Sequence, residues 1–228
     1  MRNSIVQNIE KYMEEKNFSQ VEIAREVKVT SDVVYNILHG RTEPTKSFLL
    51  ELANSSNRTI DSFVFSRSIK YYVALEVKKI IEKLNHTEKI TALLYVLCIR
   101  YRIMDYYSEE EIDKIFKSGN VGYLIKLQRL IRNIEVEDLT KELSYNEKSV
   151  RNIESNDAGI SLSNMILLAE KWKIPIDYFF VGSLKNVDYV VTYLIQEIFG
   201  DISVEEKKLL ADLLSSYARW TEYLRGCD

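Results

Sequence analysis

Cysteine and histidine are the side chains of this sequence best suited to covalent or metal chemistry, and few are present. The chain of 228 residues holds two cysteines, Cys98 and Cys227, which form no Cys-x-x-Cys pair, and two histidines, His39 and His86. A metal cage or a disulfide framework needs more such residues at shorter spacing. No nucleophile stands at a recognisable spacing from a histidine, and no glycine-rich loop is present to cradle a phosphate. The sequence therefore predicts no enzyme, no bound metal and no cofactor.

The composition is that of a folded protein in which any polyanion site must be local. Hydrophobic residues make up 46% and charged residues 29%, with 7 glycines and 2 prolines, which excludes a disordered or low-complexity chain. The net charge is −3, so no bulk positive charge indicates nucleic acid or a membrane surface. The sequence has no apolar run of about 18 residues and no signal-peptide pattern, so we expect a cytoplasmic protein without a membrane partner.

The sequence is similar to itself at one constant offset. A shift of 116 residues places Asn36-Ile37 on Asn152-Ile153 and Ile60-Asp61 on Ile176-Asp177. The same ungapped register also places Leu52-Ala53 on Leu168-Ala169, Phe63 on Phe179, Leu93-Leu94 on Leu209-Leu210, Leu97 on Leu213 and Tyr101 on Tyr217. We interpret the offset as an ancient tandem duplication that covers nearly the whole chain.

Both halves divide in the same way into short and long helical patterns. Residues 1–66 and 121–183, here called the first and second segments, show short helical patterns between polar or turn residues. Residues 69–104 and 187–224 carry longer apolar periodicity of about 3.6 residues, which predicts a helical hairpin at the end of each half. No convincing alternation of period two occurs, so the sequence predicts an all-α fold. The predicted parts are a domain at 1–66, a hairpin at 67–107, a connecting helix at 108–120, a domain at 121–183 and a hairpin at 184–228.

The stretch from Ile9 to Gly40 has the pattern of short helices joined by a tight turn. Ser19 precedes one helix and Glu22 follows three residues later, as in a capping box. Lys28 and Val29 form the predicted turn, Thr30 caps the next helix, and Gly40 ends it. The predicted buried positions are Ile23, Ala24, Val27, Ile37 and either Val33 or Val34. This spacing predicts a helix-turn-helix.

The motif resembles the lambda-repressor/Cro family, also called the XRE family. The following stretch, GRTEPTKSFLLELANSSNRTIDSFVF, is similar to that family's loop and last two helices. The second segment has the same skeleton, with apolar residues at Ile134, Leu139, Leu143, Val150, Ile153, Leu167, Leu168, Ala169, Ile176 and Phe179. The resemblance implies two helix-turn-helix domains of this family and a sequence-specific protein whose partner is double-stranded DNA.

The resemblance also implies roles for residues of the first segment. In the family, the second helix of the motif lies in the major groove, and the N-terminus of the preceding helix meets a phosphate. By this match Gln20 contacts a phosphate or the first base, and Arg41 and Lys46 contact phosphates. The groove-facing residues are Thr30, Ser31, Asp32, Tyr35 and Asn36. Asn36 suits a bidentate pair with adenine, whereas Asp32 departs from expectation because an acid repels phosphate.

The second segment departs further from the family's pattern. Val136 stands in place of Gln20, and the loop ESNDAGIS lacks the Gly-Arg and Pro-Thr-Lys of the first segment. The residues implied to face DNA are Asn146, Lys148, Arg151 and Asn152, with Arg129 and Arg132 placed to reach the DNA backbone. Two interpretations stay open: this segment reads a different half-site, or it is a structural module that binds a protein partner.

The leading hypothesis is a transcriptional repressor built as a covalent pseudo-dimer. The two hairpins would pack into a four-helix bundle that sets the spacing of the groove helices, with aromatic side chains filling contacts between hairpins or between chains. A homodimer through the hairpins is as compatible with the sequence as a single chain. The alternative is an antirepressor or inhibitor that uses the same fold to bind a protein, for which the net acidity is natural.

Overall fold

In the computed structural model, all secondary-structure elements of the described residues are helices. These residues are 2–65, 75–101, 120–188, 190–191, 194–195 and 203–226. No strand occurs among them, so the predicted all-α fold class is confirmed. The helices are α1 Arg2–Lys16, α2 Gln20–Glu26, α3 Ser31–Leu38, α4 Lys46–Ser56, α5 Ile60–Phe65, α6 Leu75–Glu82, α7 His86–Tyr101, α8 Val121–Ile131, α9 Val136–Leu143, α10 Glu147–Glu154, α11 Leu162–Trp172, a 3₁₀ helix Ile176–Phe180, and α12 Val204–Arg225.

Parts of the sequence-based predictions concern residues outside these ranges. The connecting helix at 108–120 lies outside them except for Asn120, which is the N-cap of α8. Cys227 lies outside them as well, the side chain of Cys98 is not described, and the predicted first hairpin is described only over α6 and α7. Within the described helices, none is both long enough and apolar enough to cross a membrane.

The chain divides by its internal contacts into two compact units. The first unit comprises Met1–Ile69 and Ser161–Asp177, and the second comprises Lys70–Ile160 and Tyr178–Asp228. These are units of packing and do not follow the five predicted boundaries, which stay predictions.

The first unit has an aromatic centre. Its α1 packs against α3 and α5, and α2 packs against α3 and α4. The Tyr12 ring meets the rings of Phe18 and Phe63 edge-on, with centroids 6.1 and 5.7 Å away. The predicted core residues Ile23, Ala24, Val27 and Ile37 are buried. Of the two alternatives on α3, Val34 is buried and Val33 is exposed, because neighbouring helical residues point in different directions.

Two buried aspartates of the first unit each cap the start of the other's helix. The backbone N–H groups of Ile60 and Asp61 donate to the two carboxylate oxygens of Asp177, at 2.8 and 2.7 Å. In return, the N–H of Ile176 donates to Asp61 Oδ1 at 3.2 Å. Burial raises the pKa of the Asp177 carboxyl to about 7; the hydrogen bonds from Asp61 and Ile60 oppose the rise, and the Asp61 carboxylate adds to it.

The second unit contains a close contact between helices. Its α10 packs against α8 and α9, and α12 packs against α6 and α7. A Cβ atom at Gly122 of α8 would lie 1.9 Å from the carbonyl oxygen of Ile153 on α10. The Gly122 N–H donates to Asn156 Oδ1 at 3.0 Å. Only glycine therefore fits at this crossing.

The 116-residue offset also relates helix bounds and backbone turns. Under this shift, α3 coincides with α10 and α4 coincides with α11 at both ends. Residues in the left-handed conformation form four pairs with the same spacing: Asn17 and Asn133, Lys28 and Ser144, Gly40 and Asn156, and Asn57 and Lys173. Because residues other than glycine adopt this conformation at a cost, the recurrence shows that the turns as well as the helices of the two segments are alike.

Some apolar side chains lie elsewhere than the sequence predicts. Leu167, placed among the core residues of the second segment, is exposed, because its neighbours Ile166 and Leu168 are the residues of α11 that face inward. Trp220 and Tyr223 of α12 are 59% and 70% exposed, so most of each side chain is uncovered and neither belongs to the core. A contact between chains stays open for them, and the four-helix bundle stays a prediction.

Candidate nucleic-acid interface

The capping box predicted for α2 is present. Ser19 Oγ accepts from the N–H of Glu22 at 3.4 Å, and the Glu22 carboxylate accepts from the N–H of Ser19 at 2.7 Å. Hydrogen bonds from Ser19 lower the pKa of the Glu22 carboxyl, so an ionised acid stands at the positive end of the helix. Gln20 follows as the first residue of α2, with its side chain half-buried.

The turn between α2 and α3 depends on Lys28. This residue adopts the left-handed conformation, with φ of 56°, and the next N–H, that of Val29, donates to the carbonyl of Ala24 at 2.9 Å. The Lys28 ammonium lies 3.0 Å from the Glu51 carboxylate, so its charge is partly neutralised. The turn thus reverses the chain within a few residues and positions the start of α3.

Several polar side chains of α3 and of its N-cap make no hydrogen bond within the described part of the chain. Thr30 is the N-cap residue, but its side chain makes no capping hydrogen bond. Ser31 and Asp32 are exposed and Asn36 is half-buried, and within the described ranges their side chains have no hydrogen-bond partner. Val34 is buried on the other side of the helix. The solvent-facing side of α3 therefore carries side-chain donors and acceptors that are not paired within the described protein, beside the exposed Val33.

The C-terminal end of α3 carries a cluster of Tyr35, His39 and Arg41, here called the aromatic clamp. The His39 ring stacks on the Tyr35 ring with centroids 3.9 Å apart and planes inclined by 29°. The Arg41 guanidinium carbon lies 5.0 Å from the Tyr35 ring centroid. The sequence predicts separate roles for Tyr35 and Arg41 and misses His39, although residues four apart on a helix are neighbours.

Lys46 is the first residue of α4 and is half-buried. The N-cap of this helix is Thr45, whose hydroxyl accepts from the N–H of Phe48 at 3.1 Å. All site residues predicted in the first segment thus belong to the first unit: they lie on α2, on α3 and its N-cap, and between the end of α3 and the first residue of α4. Their contacts with DNA stay predictions.

In the second segment, two of the predicted site residues are engaged by the protein itself. Asn146 caps α10 by accepting from the N–H of Ser149 at 2.8 Å. Arg151 donates from Nε and Nη2 to Glu147 Oε1, at 2.9 and 2.6 Å. Lys148 is exposed and Asn152 half-buried. The cationic surface of α10 is therefore weaker than its sequence indicates.

The expectation that Arg129 reaches the DNA backbone is wrong. Its guanidinium donates to both carboxylate oxygens of Glu154, at 2.6 and 3.0 Å, and to the carbonyl of Ile134 at 3.0 Å. Arg129 is 8% exposed and Glu154 is 6% exposed. The pair joins α8 to α10 inside the second unit. Val136, which takes the place of Gln20, is likewise buried.

The histidines bind protein groups. The His86 Nε2–H donates to the carbonyl of Leu184 at 2.6 Å, and the His39 Nδ1–H donates to the carbonyl of Tyr35 at 2.9 Å. In the part of the chain that the structure describes, no three His, Cys, Asp or Glu residues are grouped to hold a metal ion.

Comparison with protein families matches residues 9–63 to the family described as helix-turn-helix. The match spans about a quarter of the chain and runs from within α1 into α5. No curated protein and no solved structure gives a significant match. The family match suggests a DNA-binding transcription regulator of XRE type, and it falls on the segment in which α3 leaves its polar groups unpaired.

Proposed function

We propose that this chain is a sequence-specific DNA-binding transcriptional regulator, acting as a repressor, with α3 as its base-reading helix. The observation that supports this most directly is the surface of α3 in the matched segment. The side chains of Ser31, Asp32 and Asn36 have no hydrogen-bond partner in the described part of the chain, and Arg41 follows within one turn of the helix end. Polar groups left unpaired on the second helix of this motif are what base recognition requires. The proposed activity is binding, without a catalytic step.

Each polar residue of α3 suits a different base edge. Asn36 can pair with adenine through both its amide donor and its carbonyl acceptor, and Ser31 can bond a base or a phosphate. Asp32 accepts from the amino group of cytosine but repels phosphate, so it lowers affinity for all sequences while adding to discrimination. Because the net charge is −3, binding should depend on these local contacts.

We further propose that the chain is a tandem duplication that acts as a covalent pseudo-dimer. The hydrogen bonds between Asp61 and Asp177 support this, because each residue of the pair repeats the contact of its equivalent 116 residues away. Such reciprocity is expected of a two-fold interface between like subunits. The four pairs of left-handed residues with the same spacing support a common origin independently.

A second candidate function is a protein-binding module, and the second segment favours it. There Arg129 is buried, Arg151 is neutralised by Glu147, and Asp157 stands in the loop after α10. If this segment reads DNA, we expect Lys148 and Asn152 to make the contacts. If it does not, the exposed face of α10 is available to a protein partner.

Selection from a pool of randomised duplexes, followed by fluorescence anisotropy, tests the proposal. We expect wild type to enrich a defined site and the double variant Asn36→Ala, Arg41→Ala to lose specific binding while keeping its helical content. Asn152→Ala is the matched control, since Asn152 is the equivalent of Asn36. An unchanged site preference in Asn152→Ala would favour the protein-binding role for the second segment, and failure of wild type to enrich any site would contradict the function.

A homodimer through the hairpins remains part of the proposal. Its support is the exposed apolar surface of α12, at Leu209, Trp220 and Tyr223. Light scattering at increasing concentration should show twice the chain mass, and Trp220→Glu should reduce it to a single chain. A wild-type mass of one chain at all concentrations would contradict the homodimer.

A further inference from the structure

The aromatic clamp positions the charged side chain of Arg41 just beyond the end of the proposed base-reading helix. The Arg41 guanidinium lies over the Tyr35 ring at 5.0 Å, and the His39 ring stacks on the same ring at 3.9 Å. The His39 ring is itself fixed, because its Nδ1–H donates to the carbonyl of Tyr35 at 2.9 Å. All three side chains are exposed. Contacts within the clamp therefore restrict an arginine that would otherwise move freely in solvent.

The chain after α3 restricts Arg41 from the backbone side as well. Gly40 adopts the left-handed conformation, with φ of 66°, and the N–H of Arg41 then donates to the carbonyl of Asn36 at 2.8 Å. A guanidinium whose carbon lies 5.0 Å from a ring centroid still has N–H donors available to another acceptor. Those donors match the oxygens of a phosphate, and holding them in place lowers the entropy lost on binding.

The second segment has the opposite chemistry at the equivalent positions. Arg151, Ser155 and Asp157 replace Tyr35, His39 and Arg41 under the 116-residue offset. Arg151 is bound to Glu147, and Ser155 Oγ donates to Asp157 Oδ2 at 2.6 Å. A carboxylate thus stands where the first segment has its guanidinium. Of these two equivalent sites, only the one in the first segment has the clamp.

We propose that Tyr35 is a positioning residue that holds Arg41 for a DNA phosphate, and that it does not read a base. This inference rests on the proposed DNA-binding function. It changes the role that the family resemblance implies for Tyr35, from a groove-facing reader to a support for the backbone contact beside it. Arg41 then contributes sequence-independent affinity, and Tyr35 contributes through Arg41.

The test compares Tyr35→Leu, Tyr35→Phe, Arg41→Ala and the double variant Tyr35→Leu, Arg41→Ala on the duplex selected by wild type. Tyr35→Leu should weaken binding by about two- to fivefold, the equivalent of one exposed cation–π contact, with no change in the selected sequence. Tyr35→Phe keeps the ring and should bind as wild type. Arg41→Ala should lower the slope of log affinity against log salt by about 0.9. In the Arg41→Ala background, Tyr35→Leu should have no further effect.

Three results would overturn the inference: altered base preference in Tyr35→Leu, an effect of Tyr35→Leu that persists without Arg41, or equal losses in Tyr35→Phe and Tyr35→Leu. Thermal unfolding of each variant controls for the fold, since Tyr35 lies outside the core and loss of its surface contacts should lower the midpoint only slightly. Absence of wild-type binding to any duplex would instead refute the proposed function. The two failures are thus distinguishable.

Discussion

Arg129 and Arg151 show that the role of a charged residue depends on whether its side chain is buried. The residue type alone does not reveal this. Both are paired with glutamate, but Arg129 and Glu154 are 8% and 6% exposed, whereas Arg151 and Glu147 are on the surface. The sequence could place Arg151 beside Glu147, because they are four apart on one helix. It could not pair Arg129 with Glu154, which lies 25 residues away on another helix. That is why Arg129 is wrongly expected at the DNA.

Glu154→Gln should destabilise the protein far more than Glu147→Gln. The first change leaves the Arg129 charge buried without its counterion, which costs about 3–5 kcal/mol. The second removes an exposed pair of neighbours on one helix, which contributes less than about 1 kcal/mol. Urea unfolding of the two variants measures the difference. Equal midpoints would show that the buried pair does not stabilise the fold as described.

Gly122→Ala and Gly159→Ala form a second matched pair. A Cβ at Gly122 would lie 1.9 Å from the carbonyl oxygen of Ile153, whereas one at Gly159 would meet no atom within 4 Å. Relief of the clash requires α8 and α10 to separate, so we expect Gly122→Ala to cost about 1–3 kcal/mol. Gly159→Ala should unfold within a degree or two of wild type in a thermal melt. A neutral Gly122→Ala would mean that the helices do not cross this closely.

At the scale of elements, local sequence signals predicted the helix ends well. The capping box of Ser19 and Glu22, the turn at Lys28 and the stop at Gly40 all depend on residues a few positions apart, and all are present. The choice between Val33 and Val34 depended on packing by other helices, which the sequence left open. The capping of α5 by Asp177 was beyond prediction, because the acid and the helix are 116 residues apart.

The Asp177 cap should make stability depend on pH. Burial raises the pKa of this carboxyl from 3.8 to about 7, so between these values the folded protein binds a proton that the unfolded chain releases. Stability from this group is therefore complete below about pH 4 and is lost as pH rises toward 7, by an amount of the order of a few kcal/mol. Urea midpoints across this range should decline less in Asp177→Asn. A parallel decline in the variant and wild type would contradict the assignment.

At the scale of the whole molecule, the sequence predicted the helical class and the 116-residue relation. The class follows from the spacing of apolar residues, and the relation follows from identical residues at a constant offset. The helix bounds and left-handed turns follow that relation closely. The division into two packing units follows neither the 116-residue offset nor the predicted boundaries, since it depends on contacts between distant residues. The net charge of −3 also does not show that the two segments differ in charge at equivalent positions. Arg41 is held by the clamp in the first segment, whereas Asp157 replaces it in the second.

The central claim is sequence-specific DNA binding carried by the first segment, and its most direct test is the ratio of two dissociation constants. Anisotropy at about 0.15 M salt would compare the selected duplex with a scrambled duplex of the same composition. We predict a ratio of at least about 1,000 for wild type, lowered by about 5- to 150-fold in the Asn36→Ala, Arg41→Ala double variant, because Asn36 carries a base contact. A wild-type ratio near one would contradict the account.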